Sequence, residues 1–92
     1  MTIAFIGFGE AGGILAADLA REHAVTIWDC KLNGPAREAM GKKARDSRVQ
    51  VGSSLAQALE SATLVFSTVT AGEALKVAQQ AAALLQPGQY FL

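Results

Sequence analysis

Four glycines, Gly7, Gly9, Gly12 and Gly13, fall within the seven residues "GFGEAGG". Glycine costs backbone entropy, so a cluster of this density points to chemistry that needs bare backbone. "GFGEAG" has the spacing G-x-G-x-x-G, which suits a pyrophosphate. Gly7 makes a tight turn, Gly9 lets the main chain approach the ligand with no Cβ in the way, and Gly12 lets a helix pack closely on a strand. First-turn amides and the helix dipole then hold the negative charge. Glycine turns also occur in folds that bind nothing, so the reading needs a second element. Asp29 supplies it: it lies 22 residues after Gly7, where a carboxylate can accept hydrogen bonds from the adenosine ribose hydroxyls.

The surrounding pattern contains the elements that would position these groups. "TIAFIG" is an apolar run without clean alternation, as expected of a strand buried on both faces. Ala11, Leu15 and Leu19, flanked by Ala16 and Ala20, recur at helical spacing after it and predict the buried side of a first helix. "AVTIWD" reads as a second strand ending at Asp29. In "NGPAREAM", Pro35 can take the first position of a second helix, with Ala36, Ala39 and Met40 on one face. "RVQVG" reads as a third strand. Ser54 and Gln57 then form a capping box over a helix with Leu55, Ala58, Leu59 and Ala62 on one side. "TLVFSTV" is a fourth strand. Thr70 and Glu73 repeat the capping pattern over a helix with Ala74, Val77, Ala78, Ala81 and Leu85, which Pro87-Gly88 stops. "QYFL" opens a fifth strand. Strands alternating with helices predict right-handed crossovers and an α/β, Rossmann-type doubly wound parallel sheet, here truncated in the fifth strand.

Cofactor choice turns on the residues around Asp29. Its charge repels a ribose 2′-phosphate and favours NAD, whereas Lys31 and the basic run beyond it favour NADP; the carboxylate is at the contact position, so NAD is the expected cofactor and NADP the alternative. Glu10 sits in the phosphate loop and is expected to point away from the pyrophosphate. His23, the only histidine, follows the first helix at the wrong end of the sheet for catalysis, and Cys30 has no histidine or second cysteine to make it a nucleophile. Ser67, Thr68 and Thr70 follow the fourth strand at its carboxyl end, where open α/β sheets bind ligands; hydroxyl capping of the strand end is the alternative use for them.

Composition bounds the rest. With 92 residues, 51% of them hydrophobic and formal charge zero, the chain is one domain with a packed core, small for a complete enzyme. Sparse, balanced charge argues against a disordered tail or a nucleic-acid binder. No apolar run reaches the roughly 20 residues that span a bilayer, and no basic flank precedes a signal-like segment; with the single Cys30, this predicts a cytoplasmic protein without a membrane partner or metal site. Six basic residues, Lys31, Arg37, Lys42, Lys43, Arg45 and Arg48, stand against Glu38 and Asp46 between positions 31 and 48. Such a run is ordinarily a solvated face.

"IAFIGFGEAGG" and "STVTAGEAL", within a pattern that covers essentially all 92 residues, resemble the N-terminal NAD(P)-binding domain of the 6-phosphogluconate dehydrogenase and 3-hydroxyisobutyrate dehydrogenase family. The resemblance implies that Thr68, Val69 and Thr70 are cofactor contacts. With Gly7, Phe8, Gly9, Glu10, Ala11, Gly12, Asp29, Cys30 and Lys31 they make up the candidate cofactor-binding set. Relatives that use NADP have Asn-Arg where this chain has Asp29-Cys30, and many have Pro at Thr70. The family further implies hydride transfer between a small β-hydroxyacid and the nicotinamide. Its catalytic lysine and substrate loop lie beyond the cofactor domain, so residues 1–92 are expected to be a dinucleotide-binding fragment, inert by itself, without the C-terminal helical substrate domain. An apolar strand at a sheet edge also predicts self-association into a homo-oligomer. The rival reading is a regulatory NAD(H)-sensing domain, which usually shows Gly-Asp after the third strand where this chain has Gly52-Ser53. A flavin-binding domain, whose second strand usually ends in Glu, is a third.

Overall fold

The structure, a computed structural model, describes residues 1–92. Five strands, β1 (Thr2–Ile6), β2 (Ala24–Trp28), β3 (Gln50–Val51), β4 (Leu64–Ser67) and β5 (Tyr90–Phe91), alternate with helices α1 (Glu10–Leu19), α2 (Arg37–Asp46), α3 (Leu55–Glu60) and α4 (Ala71–Ala82), and a 3₁₀ turn spans Cys30–Asn33. All neighbouring strands pair in parallel, in the order β3-β2-β1-β4-β5. The chain therefore winds outward from β1 through β2 to β3, returns, and winds the other way through β4 and β5. The doubly wound sheet expected from the sequence is present.

Alternation along the strands splits the core in two. Ile3 and Phe5 of β1 join Val25 and Ile27 of β2 under Ala16 of α1, Leu32, Ala44 of α2 and Val49. Ala4 and Ile6 face the other way, packing with Val65 against Leu59, Ala62, Val77 and Ala81 of the α3–α4 side. Phe5 is wholly buried and stacks on Phe66 with ring centroids 5.1 Å apart; full burial of such a ring contributes about 2–3 kcal/mol. Just before β5, the Gln89 side chain donates to the carbonyls of Leu59 and Ala62 at 2.6 and 2.7 Å, tying the last strand to the end of α3. No helix is long and apolar enough to cross a membrane.

Several local expectations change in the folded chain. The buried face of α1 is Gly12, Gly13 and Ala16, while Ala11 and Leu15 are exposed, the latter with 49% of its surface accessible. The helix lies so close to the sheet that only small residues fit between them. Helix α2 starts at Arg37, two residues after Pro35, because Cys30–Asn33 is already turned and Ala36 becomes the N-cap. Strand β3 shortens to two residues at the sheet edge. Ser54 caps α3 by accepting from the Gln57 amide at 3.1 Å, but the Gln57 side chain accepts from Ser53, one residue earlier than a capping box requires. Thr70 is the N-cap of α4 and makes no side-chain capping bond; Glu73 is turned to another use.

Candidate functional site

Gly7 ends β1 with φ +98°, in the left-handed region open to glycine. A Cβ there would lie 2.8 Å from the carbonyl oxygen of Thr68, so the loop after β4 can close onto β1 only over a bare Cα. Thr68 completes the junction: its amide donates to Ile6 O at 2.9 Å and its hydroxyl to Gly7 O at 2.7 Å. The β1–α1 and β4–α4 loops are thus tied together where the winding reverses, the place at which open α/β sheets bind ligands.

At this point a cleft of about 450 Å³ opens at the carboxyl ends of the strands. Gly7 and Gly9 form its floor, Asp29, Cys30 and Lys31 one wall, and Thr68, Val69 and Thr70 the other. Phe8, Glu10, Ala11 and Gly12 do not line it. The Phe8 ring is buried, Glu10 is exposed at the start of α1, and Gly12 packs beneath the loop. Helix α4 adds what sequence spacing had not marked as a site: Glu73, Lys76, Val77 and Gln80, at i, i+3, i+4 and i+7, line the cleft on one helical face, joined by Asn33 and Leu55. The apolar period Ala74, Val77, Ala78, Ala81 and Leu85 marks the neighbouring face, of which Val77, Ala81 and Leu85 pack on the core, and only Val77 belongs to both. A larger groove of about 850 Å³ between α2 and β3 shares no residue with this cleft and holds none of the phosphate-loop glycines. His23 precedes β2 at the opposite end of the sheet.

The strand-end acid is held from two sides. Asp29 Oδ2 accepts from the Phe8 amide at 2.8 Å, and Oδ1 accepts from the Lys31 amide at 2.9 Å. One bond anchors the phosphate loop and the other the turn after β2. A carboxylate has about four lone-pair directions, so each oxygen keeps one for a further donor. Beside it, partial burial raises the Cys30 thiol above its ordinary value, and the charges of Asp29 and Glu73 push the same way. The thiol therefore stays protonated near neutral pH.

The start of α1 offers what a pyrophosphate needs. The amides of Gly9, Glu10 and Ala11 donate to no acceptor within the chain, as expected of first-turn groups. A Cβ placed on Gly9 would have no atom within 4 Å, so the space above the loop is open to a ligand. Lys31 and Lys76 bring two cations to the same cleft. No group of three or more His, Cys, Asp or Glu stands together as a metal site.

A strand-order reversal over a glycine loop is the architecture of the dinucleotide-binding α/β domains, and this fold is one of that class. Within the class, residues 2–92 match the family described as the NAD binding domain of 6-phosphogluconate dehydrogenase, and the chain belongs to that family. It superposes with a TM-score of 0.92 and 32% identity on a conserved hypothetical protein from Sinorhizobium meliloti 1021, over 99% of this chain and 31% of that one. The 3-hydroxyisobutyrate dehydrogenase of Mycobacterium tuberculosis aligns at 28% identity and a TM-score of 0.78, over 98% of this chain and 30% of that one. An imine reductase from Bacillus cereus, at 17% identity, a TM-score of 0.74 and coverage of 98% and 30%, shares the fold. The chain thus spans less than a third of the length of these three neighbours. No curated protein sequence matches it.

Proposed function

We propose that the chain binds NAD(H) across this cleft, in preference to NADP(H), as the cofactor domain of a longer oxidoreductase that moves a hydride between a small β-hydroxyacid and the nicotinamide. The observation that carries the cofactor preference is the double tether of Asp29. With one oxygen on the Phe8 amide and the other on the Lys31 amide, the carboxylate cannot swing aside for a 2′-phosphate, while its remaining lone pairs can accept from the ribose hydroxyls. The amides of Gly9, Glu10 and Ala11 would hold the pyrophosphate, with Lys31 and Lys76 supplying counter-charge. Thr68, Val69 and Thr70 would flank the nicotinamide half. When bound, the nicotinamide supplies the hydride acceptor or donor; the chain's part is to bind and orient it.

Titration calorimetry with both cofactors tests the preference. NAD(H) is expected to bind at least about tenfold more tightly than NADP(H), since like charges brought together across an interface cost several kcal/mol. Asp29→Ala also frees the Phe8 amide, so affinity for both cofactors should fall, but the NAD/NADP ratio should collapse toward one. A ratio that Asp29→Ala leaves unchanged means the acid does not read the ribose.

In this reading residues 1–92 carry the cofactor and turn nothing over alone, because the substrate-binding and proton-transfer groups lie outside them. An assay of NAD reduction with a panel of β-hydroxyacids should stay at background. Tyr90 of the edge strand β5 and Leu92 just after it, 63% and 64% exposed, support the expected self-association, since an unpaired apolar edge invites another chain. Sedimentation at several concentrations should show mass rising with concentration; a monomer independent of dilution argues against it.

A further inference from the structure

Three of the four loop glycines are accounted for by the turn, the ligand space and the packing of α1 on β1. Gly13 is not part of G-x-G-x-x-G, yet a Cβ on it would stand 2.7 Å from Lys43 Nζ and 2.8 Å from Lys43 Cε. The lysine reaches there from α2, thirty residues along the chain from Gly13, in the basic run that reads from the sequence as a solvated face. Its ammonium donates to Phe8 O at 3.2 Å and to Gly9 O at 3.0 Å and lies 4.6 Å from the centroid of the Phe8 ring. Its neighbour Lys42, by contrast, pairs with Asp46 at 2.9 Å on the exposed side of the same helix.

We propose that Lys43 is a positioning residue for the dinucleotide site: its ammonium sets the orientation of the phosphate loop by holding the Phe8 and Gly9 carbonyls, and position 13 is glycine to admit it. The geometry follows from the peptide bond. In a trans peptide the C=O and the following N–H point in opposite directions. The Phe8 carbonyl, held toward α2 by Lys43, aims the Gly9 amide the other way, and the Gly9 carbonyl, held by Lys43 together with the Gly13 amide at 2.8 Å, aims the Glu10 amide; those are two of the amides left without an acceptor. Charge-assisted bonds to carbonyls are about twice as strong as neutral ones, and the Phe8 face adds cation–π attraction. Asp29 holds the same segment by the Phe8 N–H. The loop is thus clamped from its donor side by the acid after β2 and from its acceptor side by the lysine of α2. A positive charge directly behind the loop also favours a bound pyrophosphate.

This inference rests on the proposed NAD(H) site, and its test separates the two. Lys43 is exposed and alanine is the best helix former, so Lys43→Ala should fold. It is expected to weaken NADH about tenfold in a fluorescence titration, while Lys43→Arg, which can still reach both carbonyls, stays within about threefold of the parent chain. Gly13→Ala should raise helix propensity and still weaken NADH about fivefold, because its methyl group displaces the ammonium. The double variant Gly13→Ala/Lys43→Ala is expected to bind no more weakly than Lys43→Ala alone, since the added Cβ then has nothing left to displace. Additive losses, or parental affinity in Lys43→Ala, overturn the proposal. Amide hydrogen exchange on the ligand-free chain provides an arm independent of NADH: Lys43→Ala should speed exchange at Phe8 and Gly13, the loop amides that are hydrogen-bonded, to Asp29 Oδ2 and Gly9 O at 2.8 Å each, without changing the most protected strand amides. If the parent chain does not bind NADH, the NAD(H) reading fails, and the exchange result alone decides whether Lys43 holds the loop; equal exchange in the two proteins overturns it.

Discussion

Gly9→Val is expected to leave the fold standing and remove the dinucleotide. Gly9 is the N-cap of α1 with φ −79° and ψ −156°, backbone that a β-branched residue adopts without strain, and a Cβ there meets nothing within 4 Å. The thermal midpoint should therefore move by no more than an ordinary surface substitution does, within about 0.5 kcal/mol of stability. The branched side chain, however, would stand over the Gly9, Glu10 and Ala11 amides, in the space a pyrophosphate must enter. Loss of close approach at charge-assisted bonds should weaken NADH by about a hundredfold, or about 2.8 kcal/mol. Calorimetric titration beside a thermal melt of the same preparation checks both halves. Retained affinity in a well-folded Gly9→Val would move the phosphate off this loop.

Gly12→Ala should do the reverse, striking the fold before the ligand. Its Cβ would lie 2.6 Å from the carbonyl oxygen of Gly7 and closer still to the hydroxyl oxygen of Thr68. The first is backbone held in β1's terminal turn by the Gly7 amide on Trp28 O at 2.7 Å. The second is a hydroxyl already committed to Gly7 O. Neither can retreat as the end of a lysine can. Replacing glycine by alanine inside a helix normally gains up to about 1 kcal/mol, but overpacking of this kind costs about 3 kcal/mol, so the net change is a loss of about 2 kcal/mol. Denaturant unfolding of the ligand-free chain should show a lower midpoint at unchanged slope. An unchanged midpoint would mean that α1 can lift from the sheet at little cost. The two substitutions divide one motif: the middle glycine is kept for the ligand and the last for the contact between helix and sheet.

The residue order alone determined a good deal. The apolar runs "TIAFIG", "AVTIWD" and "TLVFSTV", the glycine loop opening at the end of the first and the acid closing the second depend on residue type and short-range periodicity, which a linear chain displays directly. The parallel sheet, the winding reversal beside β1 and the membership of Gly7, Gly9, Asp29 and Thr68 in one cleft followed from that pattern. Hydrophobic spacing misled where close approach mattered more than side-chain burial. Of the expected inner face of α1, Ala16, Leu19 and Ala20 pack on the core, but Ala11 and Leu15 are exposed and Gly12 and Gly13 take their place, because a helix pressed onto a strand through its backbone buries residues too small to register as hydrophobic.

Contacts distant along the chain were decided only by the tertiary structure. Lys43 meets the carbonyl oxygens of Phe8 and Gly9 across separations of 35 and 34 residues, so nothing in its local charge run distinguishes it from Lys42. Thr70 and Glu73 have the spacing of a capping box, but Glu73 lines the cleft and Thr70 makes no side-chain cap. The double tether of Asp29 likewise needs the loop folded back over the end of β2. Periodicity encodes which way a segment faces its own neighbours; which partner waits there is set by how the helices dock on the sheet, through distances of a few tenths of an ångström that residue spacing does not carry.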